Sequence, residues 1–224
     1  MSFWKKMKQD TTAMFEKMKV KKIDETPEFK TAHEHYKELK KCSKEFLSQS
    51  VEFLELVSKM IPNFDEVCKN VKPAIDTIED AEASNFIKCL DEMDEKLSAN
   101  SQDYTNRINE QIISPMKVIC GQMKELGNTA KEHERMTLLL ISNKEKLAKL
   151  EKKNKNHKEI EKYQQKVEDK TKTVADLESS FISTVTSQWN NRTVILQKPL
   201  SDLNSLLMEY CQMIQQASMP LQEN

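Results

Sequence analysis

The chain has 224 residues, of which 32% are charged, and its 35 lysines and arginines almost balance 36 aspartates and glutamates. Two glycines in 224, against a usual ~7%, exclude a hairpin-rich β fold, whose turns need positive φ, and a glycine-built phosphate loop. An apolar share of 38% is too low for a thick globular core and suits long helices with narrow apolar seams.

Residues 1–22 carry seven lysines against two acids. Placed on a helix, Phe3, Trp4, Met7, Thr11, Met14, Phe15 and Met18 share one sector, with Lys5, Lys6, Lys8, Lys17 and Lys19 bordering it. Bulky apolar side chains with a lysine border form the pattern of a helix lying in a membrane interface. Each such side chain gains ~1.5–3 kcal/mol when fully buried, and each lysine near an anionic surface about 1 kcal/mol. The same stripe would also suit docking onto a helical body. Asp10, Glu16 and the lack of arginine in this segment disfavour a mitochondrial presequence. The expected organisation is a membrane-inserting segment over 1–22 and a helical domain over 23–224.

A first helix is expected from about Pro27 to about Asp80, with Thr26 as its cap and Pro27 at the first helical position. Its apolar seam runs through Phe29, Ala32, Tyr36, Leu39, Phe46, Phe53, Val57, Met60, Phe64, Val67, Val71 and Ile78. A second helix is expected from about Ala83 to about Lys153, with a seam from Leu90 through Tyr104, Ile112 and Met123 to Leu147. A break follows at Lys153–Asn156, and a third helix runs from about His157 to about Gln216 through Tyr163, Phe181, Leu206 and Tyr210. Helices of this length in such polar sequence need partners along their sides. Pro62, Pro73, Pro115 and Pro199 fall inside them. Since proline removes one backbone hydrogen bond and presses on the preceding turn, Pro115 and Pro199, with apolar periodicity on both sides, predict kinks, and Pro62 and Pro73 predict kinks or helix ends.

At the turn between the second and third helices stand Lys144, Lys146, Lys149, Lys152, Lys153, Lys155 and Lys158, opposed only by Glu145 and Glu151. Such a run is either a solvated face with i,i+4 pairs, such as Glu145–Lys149, or a phosphate-binding tip. Lysine in place of arginine favours diffuse attraction to lipid headgroups. With no aromatic between these lysines in the sequence to stack a base, nucleic acid is not an expected partner.

His33-Glu34-His35 has the wrong spacing for a helical zinc site. The five cysteines form no CxxC pair and are expected to be reduced packing residues in a cytoplasmic protein. No elbow or convergent loop builds a catalytic pocket, so neither an enzyme nor a cofactor is expected. The longest apolar run, Leu138–Ile141, is far short of the ~18 residues of a membrane span.

The order of these features resembles a BAR domain of the N-BAR type, as in amphiphysins and, less closely, endophilins. Ile23-Asp24-Glu25-Thr26-Pro27-Glu28-Phe29 resembles the "ADET…F" entry that amphiphysins place between the amphipathic segment and the first helix. The run from Lys131 through Phe181 resembles their tip hairpin, and Trp189-Asn190-Asn191-Arg192 a tryptophan-to-arginine signature of the third helix. The resemblance covers essentially the whole chain. It implies an all-α fold: three long kinked helices in an antiparallel coiled coil, a crescent-shaped homodimer and an N-terminal amphipathic helix. It further implies a protein peripheral on the plasma membrane or endocytic vesicles. There it would bind anionic phospholipid (phosphatidylserine or phosphoinositides) and sense or generate curvature. The tip lysines would contact headgroups, with Lys131 and Arg135 on the concave side, while Phe3, Trp4, Met7, Met14, Phe15 and Met18 insert. One rival reading is a helical scaffold without membrane contact, which would not need the Phe3–Met18 stripe. A second is a BAR subtype of flat or inverse curvature, which differs in the direction of its helix kinks.

Overall fold

The computed structural model describes residues 25–78, 80–153 and 157–222, and the regular structure among them is entirely helical. The α-helices are α1 (Pro27–Ile75), α2 (Ala81–Ile108), α3 (Ser114–Lys152), α4 (His157–Asn190) and α5 (Lys198–Gln222). Two π-helical turns, Asn109–Ile113 and Thr193–Gln197, join α2 to α3 and α4 to α5. The expected second and third helices are therefore each divided.

The caps follow sequence logic. The Phe29 amide donates to the Thr26 hydroxyl at 3.2 Å, so Thr26 caps α1 as expected. The first helix stops at Ile75, short of Asp80. Asp80 instead starts α2, accepting from the Glu82 amide at 3.3 Å.

Prolines and π turns coincide. Each π turn ends two residues before a proline, Pro115 or Pro199. The Ser114 amide bonds the Asn109 carbonyl, and the Lys198 amide bonds the Thr193 carbonyl. A proline lacks an N–H and crowds the carbonyl four residues earlier. A widened turn just ahead of it lets the helix continue with its hydrogen bonds shifted by one residue. Pro62 and Pro73 lie within α1, which continues through both.

Two compact units share these helices. The first holds the described residues through Leu39 together with Gln122–Asn190, and the second holds Lys40–Gly121 with the described residues from Asn191 onward. In the first unit, α1 begins against α3 and α4. Partners on α3 and α4 run in opposite senses, from Lys146–Tyr163 through Met136–Lys170 to Gln122–Gln188, so the two helices are antiparallel. The core here is aromatic. Phe29 stacks on His133 with centroids 4.2 Å apart and lies 5.1 Å from Phe181, which Tyr36 meets edge-on at 5.8 Å. His35 stacks on Trp189 at 4.0 Å. Gly127 has a packing reason: a Cβ there would overlap the buried Tyr36 hydroxyl.

The second unit packs α1, α2 and α5 around Val57, Ile61, Met93, Leu97, Ile108, Ile112 and Leu206. Tyr104 and Tyr210 stack at 4.5 Å, and Arg107 pairs with Glu209 at 2.7 Å beside them. Burial pushes the Tyr104 phenol up to about 12.

The seam of the first helix needs correcting in this unit. Met60, Val67, Val71 and Ile78 were expected to be buried and are exposed. The buried line runs one step round the helix, through Val57, Ile61 and Cys68. The apolar arc on α1 is wider than one chain covers. The cysteines also divide: Cys68 and Cys89 are buried, whereas Cys211 is exposed.

Candidate functional site

The α3–α4 end of the first unit gathers the predicted basic residues. Lys144, Lys146, Lys149, Lys152 and Lys153 are exposed at the end of α3, and Lys158 is exposed in the first turn of α4. They are exposed because the inward positions of these turns go to Leu147, Leu150 and Ile160, which are half-buried. Lysines in the last turn of α3 also suit the negative end of its dipole. Lys155 lies outside the described residues, as do Phe3, Trp4, Met7, Met14, Phe15, Met18, Lys5, Lys6, Lys8 and Lys17.

The structure adds an aromatic that spacing along the chain did not reveal. Tyr163 on α4 has the Lys146 ammonium 5.9 Å and the Lys166 ammonium 4.9 Å from its ring centroid. These cations use the ring's π face and steady the two lysine stems. Lys166 was not among the expected site residues, and only the fold brings it to the ring that Lys146 also meets.

Lys131 and Arg135 occupy α3 farther from this end, and both are exposed. Arg135 makes two hydrogen bonds to Glu132, at 2.7 and 2.6 Å, which hold that carboxyl below its usual range. The pair is locally neutral, so Arg135 adds less to the positive surface than its charge suggests.

A second surface stands out in the second unit. Every large apolar side chain exposed among the described residues lies there. On α1, Leu56, Met60, Val67 and Val71 recur in steps of four and seven, as a coiled-coil seam does, and Ile78 is exposed in the turn that follows the helix. Leu56 is 70% exposed and Val67 58%. On α5, Leu200, Leu207 and Met208 are exposed in the same way.

No protein-family profile matches the sequence, and no curated protein does. Solved structures do. A BAR protein from Galdieria sulphuraria superposes with a TM-score of 0.60 over 90% of this chain and 100% of its own, at 18% sequence identity. The amphiphysin BAR domain from Drosophila superposes with a TM-score of 0.61 over 91% of this chain and 94% of its own, at 13% identity. The fold is that of a BAR domain. Within this BAR fold the lysine-rich α3–α4 end and the uncovered apolar stripes belong to different units. No helix of the described residues is long and apolar enough to cross a membrane.

Proposed function

We propose that this BAR fold works as a homodimer that binds anionic membrane and senses or generates curvature. The observation that carries the reading is the exposed lysine cluster of the α3–α4 end, on a fold shared with BAR proteins. Lys144, Lys146, Lys149, Lys152, Lys153, Lys155 and Lys158 attract phosphatidylserine or phosphoinositide headgroups, with Lys131 and Arg135 as weaker contributors. At about 1 kcal/mol per lysine, several acting together give firm but reversible, salt-sensitive binding.

Two copies pair through the α1 and α5 stripes, which accounts for seam positions left uncovered within one chain. Pairing makes the helices into a stiff, bowed body whose cations meet the bilayer together, and the bilayer bends to fit. Residues 1–22 insert Phe3, Trp4, Met7, Met14, Phe15 and Met18 between headgroups and expand one leaflet. Lys5, Lys6, Lys8 and Lys17 hold that helix at the anionic surface. This reading assigns the protein to the cytoplasmic face of the plasma membrane or of endocytic vesicles, with no chemistry to catalyse.

Sedimentation with phosphatidylserine vesicles and with neutral vesicles tests it. The protein is expected to pellet with the anionic vesicles only. Lys152→Glu, Lys153→Glu and Lys155→Glu together should lower that binding by at least about a hundredfold, since each reversal replaces about 1 kcal/mol of attraction by repulsion. Phe3→Glu with Trp4→Glu should suppress vesicle tubulation and leave dimerisation intact. Binding indifferent to lipid charge or to the triple reversal would refute the assignment.

A further inference from the structure

We propose that the start of α1 is held by a proton-operated latch, made of Thr26, Glu178 and His133, that opens on acidification and frees the first turn of the helix. The parts come from three elements of the first unit. Thr26 accepts the Phe29 amide and donates its hydroxyl to Oε1 of Glu178 on α4. The other carboxylate oxygen, Oε2, lies 3.7 Å from Nε2 of His133 on α3. That distance is too long for a hydrogen bond. Nε2 is buried and has no hydrogen-bond partner. The imidazole itself is stacked on Phe29, the first buried residue of α1.

With His133 neutral, the arrangement is closed: Glu178 holds Thr26, Thr26 caps the helix, and Phe29 fills the dry space between His133 and Phe181. A proton on Nε2 changes two contacts at once. The new cation draws Glu178 towards itself, and Thr26 loses its acceptor. The charged ring also seeks water and no longer suits the dry stack on Phe29.

The direction follows from burial, which lowers the His133 pKa, while Glu178 and, more weakly, Glu25 act the other way. A histidine whose folded pKa is depressed stabilises the closed form above its ordinary range, and loses that contribution as pH falls through the lowered value. His33 on α1 lies 6.0 Å from Phe29 and is lowered too, by burial and by Lys37, against Glu25, Glu134 and Glu34. All four histidines belong to the first unit, so the second has no group titrating in this range by its ordinary pKa. Residues 1–24 join the body just before Thr26. Opening therefore loosens the root of the N-terminal segment, a consequence that rests on the insertion role proposed above, whereas the latch does not.

Hydrogen exchange on the whole 224-residue chain, without membrane, separates the two. Exchange rates at pH 7.5 and pH 5.5 are corrected for intrinsic pH dependence and compared as protection. Protection over 29–36 is expected to fall severalfold, and by at most about tenfold, at the lower pH, with α2 and α5 unchanged within about twofold. His133→Gln should abolish the fall. His33→Gln should leave it in place. Glu178→Gln removes the carboxylate that favours the charged imidazole, so the midpoint should move to lower pH, a readout that stands even if His133→Gln loses helicity. A fall that survives in folded His133→Gln, vanishes in His33→Gln, or moves to higher pH in Glu178→Gln overturns the latch, as does no fall in the unmodified protein.

Discussion

The two units solve the same packing problem to different degrees. In the first, three helices meet over an aromatic cluster of Phe29, Tyr36, His133 and Phe181, and no large apolar side chain among its described residues is exposed. In the second, α1, α2 and α5 bury an aliphatic core, yet leave Leu56, Met60, Val67, Val71, Leu200 and Met208 uncovered. The first unit closes on itself because bulky rings fill the space between three helices. The second has apolar arcs too wide for its own helices to cover. Exposed apolar stripes of this kind are what the proposed self-association would use, and they lie in a different unit from the lysines proposed to meet headgroups.

The sharpest way to break the contrast is Phe181→Ala, which removes the centre of the closed core. A loss of about 3–5 kcal/mol is expected for such a truncation. Thermal or urea unfolding followed by circular dichroism should show it, while hydrogen exchange in α2 and α5 keeps its native pattern. If the second unit loses protection to the same extent, the two are not separate packing systems.

Val67→Glu with Val71→Glu probes the open face. Both side chains are exposed within one chain, so the single-chain fold should survive. Losing two apolar contacts at about 1.5 kcal/mol each weakens self-association more than a hundredfold. Sedimentation equilibrium should then report a monomer of unaltered helicity. A variant that still dimerises at micromolar concentration would remove this stripe from the interface.

The two glycines of α3 give the smallest and most local contrast. Gly121 has open space where a Cβ would sit, whereas Gly127 faces the buried Tyr36 hydroxyl. Gly121→Ala should stabilise by about 0.5–1 kcal/mol through helix propensity alone. Gly127→Ala should destabilise by about 1–2 kcal/mol, because the ring of Tyr36 is wedged against Phe181 and has little room to yield. Melting curves of the two variants moving in the same direction would count against the tight α1–α3 contact.

Much of this molecule was legible in its sequence. Scarce glycine, high charge and apolar steps of three and four dictate long helices, because these are local consequences of backbone geometry. Thr26 as a cap, the end of α3 at Lys152 and the exposed lysines before it follow from the same local rules. Other features depend on neighbours far along the chain. Periodicity identifies an apolar arc on α1, yet only packing decides that Ile61 faces inward and Met60 outward, since they differ by one residue and both are apolar. Prolines predicted irregularity, but the folded backbone resolved it as π turns ahead of Pro115 and Pro199 and as uninterrupted helix at Pro62 and Pro73. Tyr163 joined Lys146, and Glu178 joined Thr26 and His133, because helix pairing brings together residues that no local pattern relates.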